Sequence, residues 1–461
     1  MRYVSTRGGA PAASFEQVLL AGLAPNGGLY VPEAWPTIGG DEIADFRGRP
    51  YPAVAARVLA RFVDDELAAE LPDLCRRAYE SFSHPATAPL RQLDEGLWLL
   101  ELFHGPTLAF KDVAMQLLAR LYERALAKAG RRLTIVVATS GDTGGAAVEA
   151  FRGSAQVDLV VLFPEGRISE VQRRFMTTTE DPNIRCAAVQ GTFDDCQAIV
   201  KALFADAAFR DAVDLSGVNS INWARIAAQA VYYFTSAVAL GAPERPVSFV
   251  VPTGNFGDAF AGYVAHRMGL PIERIVVATN GNDILARMIE TGRYERGQVL
   301  ATQSPAMDIQ VASNFERLYF EAVGRDPAAA IQAFAAFGRG GPIELPLNAL
   351  GHIRGLFTAA SVDEPSTGQA IAAAAAQSGV VLDPHTAVGF HAAATEGQAA
   401  PTILLATAHP AKFPDAVRAA LGREPDLHER AVQLATRVEC IDRLPNDVEA
   451  VKAYVQEFVG R

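Results

Sequence analysis

Lysine is the scarce cation of this sequence: of 41 basic residues, 5 are Lys and 36 are Arg. Cysteine is rarer still. The 4 cysteines (Cys75, Cys186, Cys196 and Cys440) are far apart with no C-x-x-C pair, which argues against a disulfide framework or a zinc site and reads as reduced thiols in a cytoplasmic protein. No apolar run reaches the roughly 20 residues that a membrane span needs. The opening MRYVSTRGGAPAASFEQ lacks the apolar core and small-residue cleavage site of a secretory signal. A formal net charge of -11 with no long basic tract argues against non-specific nucleic-acid binding. One local nest of N–H groups or arginines would still suffice to hold a phosphate. No His/Cys/Glu spacing resembles a zinc or iron site, so no metal is expected, and no internal repeat is evident.

What is present is a chain of 461 residues, half of them hydrophobic, long enough for two or three lobes. Leu133–Ala138, Asp158–Phe163, Val247–Val251, Ile275–Ala278 and Thr402–Ala406 are apolar almost without interruption. Such runs are expected of strands buried on both faces, as in a parallel sheet flanked by helices. Amphipathic stretches lie between them, among them Asp112 to Ala129, and the Ala-rich tract from Ile371 to Gln377 also reads as helix. The alternation predicts an α/β fold of parallel-sheet domains with helices on both faces. The first 90 or so residues carry Gly/Pro breaks and no strand–Gly-loop–helix unit, and read as a separate N-terminal lobe.

In such sheets ligands bind beyond the carboxyl ends of the strands. Three strands run there into unusual loops: ATSGDTGG (138–145), VPTGNFGD (251–258) and ATAHPAKF (406–413). A fourth stretch, FHGPTLAFKDVAMQ, sets Lys111 at the start of a helix that Asp112 or its predecessors would cap. A cation there is disfavoured by the helix macrodipole, and burial against Leu108, Ala109 and Phe110 would disfavour it further. Both effects favour the free amine, which suits a Schiff-base nucleophile, a role Arg cannot fill. From local context alone Lys111 reads equally as that nucleophile or as a lysine whose head reaches water. Gly254 and Gly257 let the second loop turn tightly and present N–H groups to an anion, without the Lys-Ser/Thr ending of a nucleoside triphosphate loop. Ser140 and Thr143 beside exposed N–H groups suit a carboxylate; a plain N-cap explains part of that pattern. Thr407 offers a neutral hydroxyl at a strand end, and Lys412 is the other lysine in a candidate site. His104, His385, His391 and His409 read as packed histidines.

As a set, these features resemble the tryptophan synthase β-type family of pyridoxal phosphate (PLP) enzymes, fold type II, and within it the threonine synthase branch. The resemblance covers the chain from Arg2-Tyr-Val-Ser-Thr-Arg-Gly8 and Gly22-Leu-Ala-Pro-Asn-Gly-Gly-Leu-Tyr-Val-Pro32 onward. It continues through Gly105–Asp112, Ser140–Gly144, Asn219–Arg225, Met307–Ile309, Ser313–Arg317 and Asp383–Ala387. It implies that Lys111 carries the aldimine to PLP, that Gly254, Asn255, Phe256, Gly257 and Asp258 surround the cofactor phosphate, and that Thr407 bonds the pyridine nitrogen. Ser140, Gly141 and Thr143 would hold the substrate carboxylate. Asp142 stands where related enzymes commonly have Asn. For the phosphate of the implied substrate, O-phospho-L-homoserine, the candidates are Asn219, Asn222, Arg225 and Lys412. The implied domains are a lobe over 1–90, a large PLP-binding domain over 91–125 and 221–461, and a small α/β domain over 126–220. The expected protein is a cytoplasmic monomer or homodimer. The other readings are a serine/threonine dehydratase-like lyase and a non-catalytic binding relative.

Overall fold

All five apolar runs are strands, and two sheets share them. The computed structural model describes residues 1–395 and 401–460. The larger sheet runs in the order Phe357–Ser361, Ile272–Thr279, Val247–Pro252, Thr402–Ala406, Leu97–Glu101, Leu90–Asp94; all neighbours are parallel except the last pair. The smaller sheet, parallel throughout, runs Asp442–Leu444, Ile184–Val189, Val157–Pro164, Leu133–Ala138, Leu215–Ser216.

Successive side chains of a strand point to opposite faces, so a strand without polar alternation must be covered twice. The packing follows that rule. In the larger sheet Phe249, Val251, Ile403 and Leu405 face one core, while Val250, Leu404 and Ala406 face another, beneath the helices Glu364–Ser378 and Pro384–Thr395. In the smaller sheet Ile135, Val137 and Val161 join the first core. Val136, Val160 and Leu162 pack outward on the helices Phe193–Ala205 and Val448–Val459. Each buried Val, Leu or Ile contributes about 1.5–3 kcal/mol. The inner core therefore joins the two sheets, with the helices Lys111–Ala129 and Trp223–Ala239 in it.

Two packing relationships cross the expected domain bounds. Residues 1–90 have no separate core: Tyr3, Phe15 and Phe62 pack in the same cluster as Trp223, and Tyr3 Oη accepts a bond from Trp223 Nε1 at 3.1 Å. The strand Asp442–Leu444 pairs with Ile184–Val189, so the end of the chain returns to the smaller sheet instead of staying with residues 221 onward. Hydrophobic pattern marks a strand but not the sheet it joins. Residues 396–400 and 461 of the expected large domain lie outside the described residues. No helix among the described residues is long and apolar enough to cross a membrane.

Candidate active site

Lys111 is the first residue of Lys111–Ala129, and Phe110 precedes it with no side-chain cap. Asp112 does not cap the helix as expected. Its carboxylate turns back and accepts the N–H and the hydroxyl of Thr107, each at 2.7 Å. Burial lifts its pKa to about 6, against the two Thr107 bonds. The loop before Lys111 is stitched to the loop after Thr402–Ala406. The N–H of Phe110 donates to the carbonyl of Thr407 (2.8 Å) and that of His409 to the carbonyl of Leu108 (3.0 Å), around an Ala109–Ala408 bridge. Lys111 and Thr407 are thereby set on one cavity of about 790 Å³. Burial lowers the pKa of Lys111; Asp142 opposes the shift, and the charges of Lys412 and Arg225 add to it.

The glycine turn connects Val247–Pro252 to the helix Gly257–Arg267. Thr253 Oγ1 accepts the N–H of Phe256 at 3.1 Å and donates to Asp258, which also accepts the N–H of Ala259 at 2.9 Å. Phe256 takes the left-handed conformation (φ 63°), which costs roughly 1–2 kcal/mol. Burial of its ring against Phe357, 5.5 Å between centroids, offsets that cost. Among the described residues nothing accepts the N–H groups of Gly254, Asn255 and Gly257. The turn is braced from behind by the segment Ser313–Arg317. Ser313 Oγ donates to Asn255 Oδ1 at 2.8 Å, and the N–H of Asn314 donates to the Asn255 carbonyl at 3.1 Å. Gly254 must be glycine for a steric reason, since a Cβ there would lie 2.9 Å from the carbonyl oxygen of Ala306.

In the third loop Thr139 Oγ1 accepts the N–H groups of Gly141 (2.9 Å) and Gly144 (3.0 Å), which turns the chain into the helix Asp142–Phe151. Asp142 and Thr143 line the cavity. Asp142 Oδ1 receives Lys412 Nζ at 2.7 Å and Gln172 Nε2 at 2.9 Å, while its Oδ2 lies 3.4 Å from Lys111 Nζ. Burial alone would raise the pKa of this carboxyl. The ammonium groups of Lys412 and then Lys111 outweigh burial and hold it well below the usual carboxylate range.

Two polar groups at the cavity lack a partner. Thr407 Oγ1 is buried and, among the described residues, hydrogen-bonds to nothing. Arg225 is buried, donates through Nη1 to the Val218 carbonyl at 2.8 Å, and has an unpartnered Nε; burial lowers its pKa to about 10. Buried polar groups are rarely left so, and both mark places where a ligand atom fits.

Of the residues expected from sequence, Lys111, Asp142, Thr143 and Asn219 line this cavity, as do Arg225 and Thr407, with Gly254, Asn255, Gly257 and Asp258. Ser140 and Gly141 are set back in their loop, and Phe256 is turned into the core. Two of the phosphate candidates are engaged elsewhere and are absent from the cavity lining. Asn222 is fully buried and caps the helix Trp223–Ala239: its Oδ1 accepts the N–H of Ala224 at 3.0 Å and its Nδ2 donates to the Leu19 carbonyl at 2.9 Å. Lys412 is also buried, with its ammonium on Asp142 and on the Thr107 carbonyl, each at 2.7 Å.

The parts played by His385, Asp383, Thr386 and Gln172 emerge only from the fold. His385 lines the cavity, yet its Nε2 accepts the N–H of Ala306 at 3.2 Å and its Nδ1 pairs with Asp383 at 2.9 Å. That pattern fixes a neutral imidazole with the proton on Nδ1 and leaves no lone pair for a general base. Asp383 also accepts the hydroxyl of Thr386, which in turn accepts the N–H of Thr407 at 3.1 Å. Gln172 left no trace in the sequence, because its role is a tertiary contact. Among the described residues no group of His, Cys, Asp and Glu is arranged to hold a metal.

Comparison with known proteins agrees with this geometry. Residues 2–79 match the family Threonine synthase N terminus, 83–405 match Pyridoxal-phosphate dependent enzyme, and 386–455 match Threonine synthase, C-terminal. The chain is 50% identical to a threonine synthase of Pseudomonas aeruginosa, over 100% of this chain and 99% of that protein. It is 40% identical to that of Saccharomyces cerevisiae, over 100% and 98%. The crystal structure of a PLP-bound threonine synthase from Brucella melitensis superposes with a TM-score of 0.97 at 52% identity, covering 99% of both chains. The chain therefore belongs to the threonine synthase family of pyridoxal phosphate-dependent enzymes.

Proposed function

We propose that this protein binds PLP through Lys111 and converts O-phospho-L-homoserine and water to L-threonine and inorganic phosphate, the last step of threonine biosynthesis. One observation carries the cofactor reading: a buried hydroxyl that has no partner among the described residues, Thr407 Oγ1, stands on the same cavity as a half-buried lysine whose amine is biased toward its neutral form. A pyridine nitrogen satisfies that hydroxyl. The unclaimed N–H groups of Gly254, Asn255 and Gly257 at a helix start fit the cofactor phosphate. PLP, when bound, supplies an electrophilic carbon for the lysine and an electron sink for the substrate.

The remaining work falls to the chain. Lys111, once released by the substrate amine, is the group placed to take the Cα proton and return it, since His385 has no free lone pair. Thr143, with Ser140 and Gly141 behind it, forms the carboxylate end of the site. Arg225 and Asn219 form the phosphate end. A buried guanidinium that pairs with no carboxylate among the described residues favours a dianion strongly, because burial has already removed its water. That requirement for a second anion separates the reading from a dehydratase of serine or threonine. Retention of every one of these groups speaks against a binding relative without catalysis. The four free thiols suit a reducing cytoplasm, where the enzyme works as a monomer or homodimer on a small molecule.

The test is a paired assay. Phosphate release from O-phospho-L-homoserine should dominate, and it should vanish in Lys111→Ala. Ammonia release from threonine as the major activity would overturn the assignment.

A further inference from the structure

Asp142 divides its two oxygens unequally between two lysines. Oδ1 is held by Lys412 at 2.7 Å and by Gln172 at 2.9 Å, whereas Oδ2 stands 3.4 Å from Lys111. Lys412 donates one N–H to Asp142 and one to the Thr107 carbonyl, each at 2.7 Å, and its ammonium lies over the ring of Phe175, 5.1 Å from its centroid. Its backbone is pinned as well. Lys412 ends a 3₁₀ turn whose Ala411 N–H donates to His409 Nδ1 at 3.2 Å, and its carbonyl accepts Ser169 Oγ at 3.2 Å. Ser169 caps the helix that carries Gln172, so both groups that grip Oδ1 are held by one junction between the two sheets.

We propose that Lys412 is a positioning residue: with Gln172 it turns Asp142 aside, so that Lys111 keeps a carboxylate within reach without being closed into a full ion pair. The inference rests on Lys111 being the amine that reacts. An ammonium locked at 2.7–2.9 Å on a carboxylate is a poor nucleophile and a poor base. Lysine at 412 prevents that lock in two ways: it occupies the carboxylate, and it sets a second positive charge beside the first. The other charged or titratable groups about Lys111 are Arg225 from Trp223–Ala239, Asp258 from Gly257–Arg267, His385 from Pro384–Thr395 and Asp112 on its own helix, with Asp194 and Lys201 from Phe193–Ala205, and Arg296 and Asp308, elsewhere on the cavity wall. None of these bonds to Asp142. The tuning therefore falls to Lys412.

The experiment reads Lys111 directly, without substrate or cofactor. The full chain, free of PLP, is treated with acetic anhydride over a range of pH, and acetylation of Lys111 is followed by mass spectrometry. In Lys412→Met the midpoint should move up by about one pH unit, so that at a fixed pH below it labelling is roughly tenfold slower. Lys412→Arg should stay close to wild type, and Lys412→Met combined with Asp142→Asn should return the midpoint to wild type or below. Gln172→Leu removes one grip on Oδ1 without changing any charge and should move the midpoint upward by less. It also serves if the Lys412 variants do not fold. An unchanged midpoint in Lys412→Met or in Gln172→Leu overturns the proposal. Loss of phosphate release in wild type, with the labelling shifts intact, would instead overturn the assigned reaction.

Discussion

The carbonyl of Thr407 accepts the N–H of Phe110 at 2.8 Å, so one backbone hydrogen bond joins the loop bearing the reactive lysine to the loop bearing the unpartnered hydroxyl. Neither loop can shift without carrying the other. The two stretches of backbone that carry the amine and the hydroxyl are thus held in register, whichever rotamer the lysine takes.

Replacing Thr407 by Val tests whether its hydroxyl serves a ligand or the fold. A buried hydroxyl with no partner costs about 1–3 kcal/mol. Without cofactor, Thr407→Val should therefore unfold at the same temperature as wild type or higher. Its affinity for PLP should fall about tenfold, the loss of one hydrogen bond worth about 1.4 kcal/mol. Thermal unfolding with and without PLP reads both effects. A lower melting temperature without cofactor would make the hydroxyl structural.

Asp383 binds two walls of the cavity at once. It accepts from the His385 backbone (3.0 Å), from His385 Nδ1 (2.9 Å) and from the Thr386 hydroxyl. His385 then holds Ala306, against which Gly254 is packed, and Thr386 holds Thr407. Asp383→Asn sets an amide N–H against groups that donate, which should cost about 1–3 kcal/mol in a urea titration. PLP affinity should fall in the same variant, because the glycine turn and Thr407 lose their common brace. A stability loss with PLP affinity intact would refute that coupling.

The sequence shows clearly where strands end and which loops follow them, because doubly buried strands leave unbroken apolar runs and the loops are rich in Gly, Ser and Thr. It does not show which way a loop residue faces. Lys412 lies in a loop that reads correctly as part of the site, yet its head is drawn to Asp142 and Thr107, contacts that no local pattern encodes. Asn222 did carry a local signal: Asn directly before a helix is a common cap, and that role excludes it from the cavity. The pairing of Asp442–Leu444 with Ile184–Val189 belongs to the same class, since a three-residue strand with two exposed charges carries no local mark of the sheet that it joins.

Asp112 gives stability a pH dependence. Its pKa is raised from 3.8 to about 6 by burial, so the folded state holds a proton that the unfolded chain releases. The sign follows: this contribution is complete below about pH 4 and is lost as pH rises through about 6, a change of about 3 kcal/mol. Asp112→Asn keeps both contacts with Thr107, its oxygen accepting the N–H and its amide donating to the hydroxyl. The variant should gain about 2 kcal/mol on wild type between about pH 4.5 and pH 7.5 in denaturant titrations. Equal pH slopes would mean that Asp112 is ionised throughout.

Arg225 and Asn222 stand three residues apart, and their variants should part in opposite directions. Arg225 is a buried cation whose Nε has no partner and which, among the described residues, forms no ion pair with a carboxylate. Arg225→Met removes that burial cost, so the ligand-free protein should become equally or more stable. The same change takes a charge from the phosphate end, and KM for O-phospho-L-homoserine should rise at least tenfold. Asn222→Ala loses the cap and leaves the Ala224 N–H unsatisfied, which should cost about 1 kcal/mol of stability with KM unchanged. Steady-state kinetics beside thermal unfolding separates the two. A rise in KM for Asn222→Ala without one for Arg225→Met would move the substrate phosphate to the other side of the helix start.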